Sequence, residues 1–181
     1  MKSQYLLSLS TFFTVTLGII SLNEKSAIAS DATFDCQSNR ETPATIIKTN
    51  NGAEQPIFHW NLDAETVSAT PEELCSSVTE KLNNYILEGN DLSSLTFKAL
   101  SIFPENSASP SLPGVCIAGE DGSCNLILFT LNPSPNPRVA STALDSILDP
   151  ALQSIAVKPK LRDRGFQSTS YKVNFWDLFT R

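Results

Sequence analysis

The stretch from Val115 to Leu131 reads VCIAGEDGSCNLILFTL and predicts a β-hairpin. Two apolar runs flank Gly119–Gly122, a cluster of residues that favour turns. Cys116 and Cys124 stand on either side of this turn, which would bring their side chains within the narrow distance that a disulfide tolerates. The second run, from Asn125 onward, is apolar enough to predict a central strand of a sheet.

Further strand signals lie upstream of this hairpin. Ala44 to Thr49 and Pro56 to Trp60 are rich in β-forming residues and flank Asn50-Asn51-Gly52, a strong turn signal. A short strand is expected from Thr33 to Ser38, and Leu95 to Phe103 alternates between apolar and polar residues as a strand does.

The clearest helix begins at Thr70, where Pro71 suits the first turn and Glu73 completes a T-x-x-E capping box. Apolar residues follow at helical spacing until Gly89 ends the helix. A second, short helix is expected over 139–148, ended by Asp149-Pro150. The pattern predicts an α+β fold: a mostly antiparallel sheet with one well-capped helix and a second short helix.

Four cysteines predict two disulfides and leave three connectivities open. We favour Cys36–Cys75 and Cys116–Cys124, and the first would attach the start of the long helix to the N-terminal strand. A metal site would need CxxC-type spacing and histidine ligands, and the sequence has neither such spacing nor more than one histidine. We therefore expect no metal and no cofactor.

Residues 1–29 predict a Sec-type secretory signal. A positive start at Lys2 precedes an apolar run from Tyr5 to Ile20, and Ser26-Ala-Ile-Ala29 supplies the small residues of a cleavage site. The run is shorter than the roughly 20 residues that cross a bilayer, which disfavours a permanent anchor. We expect export to the periplasm, the thylakoid lumen or the extracellular space, a disulfide-bonded domain over 30–157, and a distinct segment over 158–181.

The C-terminal segment is basic and aromatic. It carries a net charge of about +4 on a chain whose total is −6. It could fold back, with Tyr171, Val173 and Phe175 alternating as an edge strand, or meet an anionic membrane surface and associate peripherally. The candidate surface contacts are Lys158, Lys160, Arg162, Arg164, Lys172 and Trp176.

His59 is the single histidine, so a hydrolase with a histidine base would have to use it. No G-x-S-x-G motif accompanies it, and a structural or surface role is the favoured interpretation. No catalytic residues are therefore assigned. The acidic net charge disfavours nucleic acid as a partner, because both would carry the same sign.

The order of several short motifs resembles the circadian oscillating polypeptide-type domain family of cyanobacteria. These motifs are Phe34-Asp-Cys36, Pro43-Ala-Thr45, Pro56-Ile57 with Trp60, Cys75-Ser-Ser-Val78, Val115-Cys116 and Cys124-Asn-Leu-Ile-Leu-Phe-Thr-Leu131. The resemblance implies an exported or peripherally membrane-associated protein with no known enzyme activity. Leu74 stands where the family usually carries an arginine, so any binding role of that arginine is absent here.

The leading hypothesis is a non-catalytic exported domain that binds an unknown protein or an anionic membrane surface. Its contact surfaces would be the basic segment and the loop from Pro104 to Pro113. The alternatives are a hydrolase that uses His59 as general base, and an inhibitor that presents the loop between Cys116 and Cys124.

Overall fold

Seven strands, three helices and two 3₁₀ turns make up the part of the chain that the computed structural model describes, residues 32–39, 41–102, 112–157 and 169–180. The strands are β1 (Ala32–Gln37), β2 (Ala44–Thr49), β3 (Glu54–His59), β4 (Leu95–Ile102), β5 (Leu112–Ala118), β6 (Cys124–Thr130) and β7 (Ser170–Val173). The helices are α1 (Pro71–Leu87), α2 (Val139–Ile147) and α3 (Pro150–Ile155), and the 3₁₀ turns cover Leu92–Ser94 and Phe175–Leu178. The predicted α+β class is confirmed.

The first sheet is antiparallel with the strand order β1-β2-β3. Its β2–β3 hairpin turns at the predicted place, and Gly52 has a φ of +85°, a conformation that residues with a side chain rarely adopt. Helix α1 packs on β1 and β2. The predicted capping box is present: the Thr70 hydroxyl accepts from the Glu73 N–H at 3.2 Å, and the Glu73 carboxylate accepts from the Thr70 N–H at 2.8 Å.

The second sheet is also antiparallel, with the order β6-β5-β4-β7. The prediction that Asn125–Leu131 forms a central strand is wrong, because β6 lies at an edge and Ile127 is 40% exposed. The apolar run instead packs Leu128 and Phe129 into the core from that edge. The two inner strands are β5 and β4, and a strand distant in sequence, β7, forms the other edge.

Residues after Ile147 form a helix that the sequence interpretation missed. Asp149-Pro150 does end α2, but Asp149 also caps α3, since its Oδ1 accepts from the Ala151 N–H at 2.8 Å. The prediction of a single short helix after β6 is therefore corrected to two. The acidic residue before a proline served as the start of a helix as well as the end of one.

Both predicted disulfides are present. Cys36–Cys75 joins β1 to the first turn of α1 with Cα atoms 5.5 Å apart, and Cys116–Cys124 joins β5 to β6 with Cα atoms 5.9 Å apart. No helix in the described ranges is both long and apolar enough to cross a membrane.

Helix α1 blocks one edge of each sheet. The Asn83 side chain accepts from the Phe34 N–H at 2.8 Å and donates to the Phe34 carbonyl at 2.9 Å on the β1 edge. On the β6 edge, the Lys81 ammonium donates to the carbonyls of Ile127 and Leu128 at 3.2 and 2.6 Å. Unpaired backbone groups of an edge strand invite pairing with other chains, and these two side chains oppose it.

Aromatic rings connect the two sheets through the core. Neighbouring centroids lie 5.1 to 6.1 Å apart, mostly edge-on, in a series formed by Phe34, Phe175, Phe97, Phe58, Trp60 and Phe129. The Trp60 indole N–H is satisfied inside the core, since it donates to the Thr45 hydroxyl at 3.0 Å.

The described part of the C-terminal segment folds onto the domain. β7 pairs with β4, with Tyr171 opposite Phe97, and both Tyr171 and Val173 are buried. The outer edge of β7 is occupied as well, because Lys172 and Val157 exchange backbone hydrogen bonds at 2.9 and 3.1 Å. This is the fold-back alternative, with Tyr171 and Val173 in an edge strand. The prediction that Phe175 continues this strand is wrong, because β7 ends at Val173 and Phe175 is buried from the 3₁₀ turn that follows.

Candidate functional site

A groove of about 430 Å³ lies on the outer face of the second sheet. We call it the lysine groove. Its floor consists of residues from β4, β7 and the turn before β4, and its opposite rim is the loop between the disulfide-bonded Cys116 and Cys124. The lining residues are Ser94, Thr96, Lys98, Ala118, Gly119, Glu120, Asp121, Gly122, Ser170 and Lys172.

Strand pairing places two lysines and two hydroxyls in a square on the floor. Thr96 is the register partner of Lys172, and Lys98 is the register partner of Ser170. Directly paired side chains leave an antiparallel sheet on the same face, with Cβ atoms about 5 Å apart. The two lysine side chains therefore project from diagonally opposite corners of the square, and the side chains of Thr96 and Ser170 project from the other two corners.

Ser170 has an unusual environment for a hydroxyl. Its residue is only 7% exposed, it lines the groove, and its Oγ forms no hydrogen bond with other described residues. No fully enclosed side-chain nitrogen or oxygen in the described ranges lacks a partner, so this oxygen opens toward the groove. The hydroxyl is thus available to a molecule that enters there.

Lys98 and the disulfide hold the opposite rim in place. Lys98 is the register partner of Cys116 as well as of Ser170, and its ammonium donates to the Gly122 carbonyl at 2.7 Å. The hydroxyl and the backbone N–H of Ser123 both donate to Asp121, and together with the positive charge of Lys98 they hold the pKa of Asp121 below its usual range. Asp121 therefore remains a carboxylate at the groove rim.

Of the candidate surface residues, two lie in the described part of the chain. Lys172 is exposed and lies in the groove, whereas Trp176 is half-buried and packs against the core. The other candidates, Lys158, Lys160, Arg162 and Arg164, lie outside the described residues. The Pro104–Pro113 loop does too, except that Leu112 and Pro113 belong to β5.

Sequence reasoning missed Lys98, Thr96 and Ser170. The alternation of LTFKALSIF did indicate that Thr96 and Lys98 share the face opposite Phe97. Nothing local indicated that β7 would pair with β4 and bring Lys172 to the same face. Finding this site would have required knowing that two strands more than 70 positions apart in the sequence pair with each other.

His59 belongs to a separate, structural cluster. Its Nε2 lies 2.7 Å from Asp149 Oδ2, while Asp149 caps α3 and donates its N–H to the Ile57 carbonyl at 2.8 Å. The hydrogen bonds of the described residues give His59 no serine, threonine or thiol partner, and all four cysteines are in disulfides. The contacts therefore tie the β3 edge to the α2–α3 junction.

In the described ranges, no three His, Cys, Asp or Glu side chains cluster in a way that could hold a metal ion. The loop between Cys116 and Cys124, which an inhibitor would have to present, is bound to Lys98 through Gly122.

The described residues form an α+β domain with two antiparallel sheets, three helices and two disulfides. The lysine groove lies on the outer face of its second sheet. The sequence model of the family described as circadian oscillating protein COP23 matches residues 33–179, and the chain belongs to this family. The matched range contains both disulfides and all the described residues that line the lysine groove. No curated protein and no solved structure matches the chain.

Proposed function

We propose that this member of the family is an exported, non-catalytic domain that binds an anionic protein or membrane surface in the periplasm or thylakoid lumen. The observation that carries the proposal is the position of Lys172. Its exposed ammonium lies in the lysine groove, on the strand that the basic residues 158–168 precede in the chain.

The disulfides support export. Disulfides persist in oxidising compartments and are rare in the cytosol of mesophiles. Both link separate elements, β1 to α1 and β5 to β6, so they are part of the fold itself. The signal-like residues 1–29 point to the same compartments.

The role of His59 supports a non-catalytic function. A histidine base needs a nucleophile or a bound water within hydrogen-bond reach and a third group that orients it. Asp149 could orient His59, but the same carboxylate caps a helix, and the hydrogen bonds of the described residues give His59 no serine, threonine or thiol partner. The pair has a structural purpose that is independent of catalysis.

The charge distribution supports an anionic partner. The described residues are strongly acidic, yet Lys98 and Lys172 share one face of the second sheet. Four further cations, Lys158, Lys160, Arg162 and Arg164, follow soon after Val157, which pairs with Lys172. A partner with a negative patch would be attracted to this side and repelled elsewhere, which orients the encounter.

The described aromatic residues of the C-terminal segment favour surface contact with a membrane over insertion into it. Tyr171 and Phe175 are buried in the core, and Trp176 and Phe179 pack against it. Tyr171 and Phe175 cannot enter a bilayer without unfolding the domain, so attraction to a membrane would come mainly from lysine and arginine. Binding of this kind weakens strongly with salt, because the Debye length falls to about 8 Å at physiological ionic strength.

The first experiment tests export. The full chain is expressed in a bacterium that has a periplasm, and the mass of the purified protein is measured. We expect a periplasmic protein that begins at Ser30 with both disulfides formed. Retention of residues 1–29 in the cytoplasmic fraction would contradict the proposal.

The second experiment tests surface binding by the exported protein. It is incubated with envelope fractions for pull-down, and with vesicles of anionic or neutral lipid for co-sedimentation. A variant with Lys158, Lys160, Arg162 and Arg164 changed to Gln should lose binding, whereas Arg138→Gln, an exposed cation at the start of α2, should not. Binding that survives the fourfold change rejects the basic surface as the contact.

A further inference from the structure

We propose that the lysine groove binds the phosphate group of a hydroxylated ligand, a glycerol phosphate or sugar phosphate unit. The inference deepens the proposed function, on which it rests, by naming the anionic group that the partner surface presents. Such a unit occurs free in solution and in the headgroup of a phospholipid, and the same groove chemistry would recognise both.

The square of donors on the floor matches a phosphate group. Lys172 forms no side-chain hydrogen bond with other described residues, and Lys98 uses one of its three N–H groups on the Gly122 carbonyl. The hydroxyls of Thr96 and Ser170 lie at the remaining corners. Diagonal neighbours in such a sheet are about 7–8 Å apart, with their Cβ atoms somewhat closer, so both ammonium groups can reach one phosphate placed above the centre.

Ser170 gives an independent indication of a ligand. A hydroxyl that folding removes from most of its water, without a protein partner, costs free energy. Ser170 is more than nine-tenths buried, and its Oγ opens toward the groove. A phosphate oxygen above the square would accept a hydrogen bond from it.

The donor types favour phosphate over carboxylate. Planar carboxylates are typically recognised by the fork of an arginine, and none of the described residues that line this groove is an arginine. Lysine ammonium groups act as point charges, which suits the three terminal oxygens of a tetrahedral phosphate. Two lysines also match the one to two negative charges of a phosphate ester.

The acidic rim limits what else the ligand can be. Glu120 and Asp121 face the groove opposite the lysines, and Asp121 lies close enough to Lys98 to interact with its charge. A chain of phosphates would meet these carboxylates with like charge, whereas hydroxyls of a glycerol or sugar can donate to them. One phosphate with a hydroxylated remainder fits both sides of the groove.

The test measures the affinity of the exported protein for glycerol 3-phosphate by titration calorimetry, with glycerol and inorganic phosphate as comparison probes. Vesicles of phosphatidylglycerol in phosphatidylcholine form a second arm. Saturable binding of glycerol 3-phosphate identifies a soluble ester as sufficient, and binding of the vesicles alone identifies a headgroup. Either result supports the phosphate site, and saturable binding of neither probe overturns it.

Variants locate the site. Lys172→Gln should weaken the binding about tenfold, and Ser170→Ala and Thr96→Val several-fold each, as expected for loss of hydrogen bonds to a charged group. Asp121→Asn should strengthen it by removing a competing charge. Arg138→Gln is the matched control, and equal losses in Arg138→Gln and Lys172→Gln would show nonspecific attraction and overturn the proposal. Thermal unfolding of each variant establishes that it is folded.

The outcomes separate this inference from the proposed function. The protein could bind glycerol 3-phosphate in a way that depends on Ser170 and yet bind neither an envelope partner nor vesicles. This result would support the phosphate site and contradict the surface-binding role. Partner binding that is lost with the residue 158–164 cations but unaffected by Ser170→Ala and Thr96→Val would keep the surface-binding role and overturn the phosphate site.

Discussion

The ring of Phe175 stands edge-on to the ring of Phe97, with centroids 6.1 Å apart. Phe97 lies in β4 of the second sheet. On its other side Phe175 is edge-on to Phe34 of β1, with centroids 6.0 Å apart. The Phe175 side chain therefore contacts both sheets, which makes the start of the 3₁₀ turn after β7 part of the core.

Phe175→Ala should destabilise the domain severely. The side chain is fully buried, and truncation of such a phenylalanine typically costs about 3–5 kcal/mol through lost transfer free energy and the cavity left behind. The measurement is the free energy of unfolding from urea denaturation. Phe179→Ala is the control, because Phe179 is only partly buried and should cost less. Similar losses in the two variants would show that Phe175 does not connect the sheets.

Features that depend on neighbouring residues could be predicted from the sequence. The Asn50–Gly52 turn, the capping box of Thr70 and Glu73, and the Cys116–Cys124 hairpin each involve residues fewer than ten positions apart. Local propensity and turn geometry specify such features. The Cys36–Cys75 pairing spans a longer range and was predicted indirectly. Once the hairpin pairs Cys116 with Cys124, Cys36 and Cys75 are the two cysteines that remain.

Features that depend on distant pairing could not be predicted. Alternation placed Lys98 on an outer face, but only the pairing of β4 with β7 puts Lys172 beside Thr96. A similar limit applies inside the core, where the Thr45 hydroxyl accepts from Trp60 and lies 3.3 Å from that of Thr79. An isolated sequence does not show which polar side chains will satisfy each other after folding.

Removing the two disulfides should have unequal effects. Cys36 and Cys75 are 39 residues apart, and Cys116 and Cys124 are 8 apart. In the loop-entropy account, a bond that closes a longer loop restricts the unfolded chain more, which gives about 4 kcal/mol for the first and about 2.5 kcal/mol for the second. The two Cys→Ala double variants are compared by urea denaturation. A larger loss from removing Cys116–Cys124 would contradict this expectation.

Tyr171 should make the domain less stable at high pH. Its hydroxyl donates to Asp145, and burial, together with that carboxylate, raises the pKa of the phenol above its usual value of 10.0. The folded state therefore holds this proton more tightly than the unfolded state. The contribution to stability is complete below about pH 10, where both states are protonated, and declines as the pH rises above the unfolded pKa.

The test compares the free energy of unfolding of the wild type and Tyr171→Phe between pH 8 and about pH 11. Because Tyr171→Phe has no phenol to titrate at this position, its stability should fall less steeply above pH 10. Tyr85→Phe provides a comparison, since burial also raises the pKa of Tyr85, though no hydrogen-bonded carboxylate contributes there. Parallel curves for the wild type and Tyr171→Phe would reject the role of Tyr171.

Substitution of Asp149 should lower the free energy of unfolding more than substitution of His59, because Asp149 both contacts β3 through His59 and caps α3. Its Oδ2 contacts His59 at 2.7 Å, and its Oδ1 caps α3 at the Ala151 N–H. Asp149→Ala loses both contacts and should cost about 1–3 kcal/mol, whereas Asp149→Asn retains a capping oxygen and should cost less. A double-mutant cycle with His59→Ala measures their coupling, expected at about 0.5–1.5 kcal/mol for one partly buried hydrogen bond.

The His59→Ala variant also decides between the structural and hydrolase interpretations of His59. If His59 only connects β3 to the helices, esterase and peptidase screens will give the same signal for wild type and His59→Ala at a temperature where both are folded. An activity that His59→Ala abolishes in a folded protein would establish a catalytic base and remove the non-catalytic proposal.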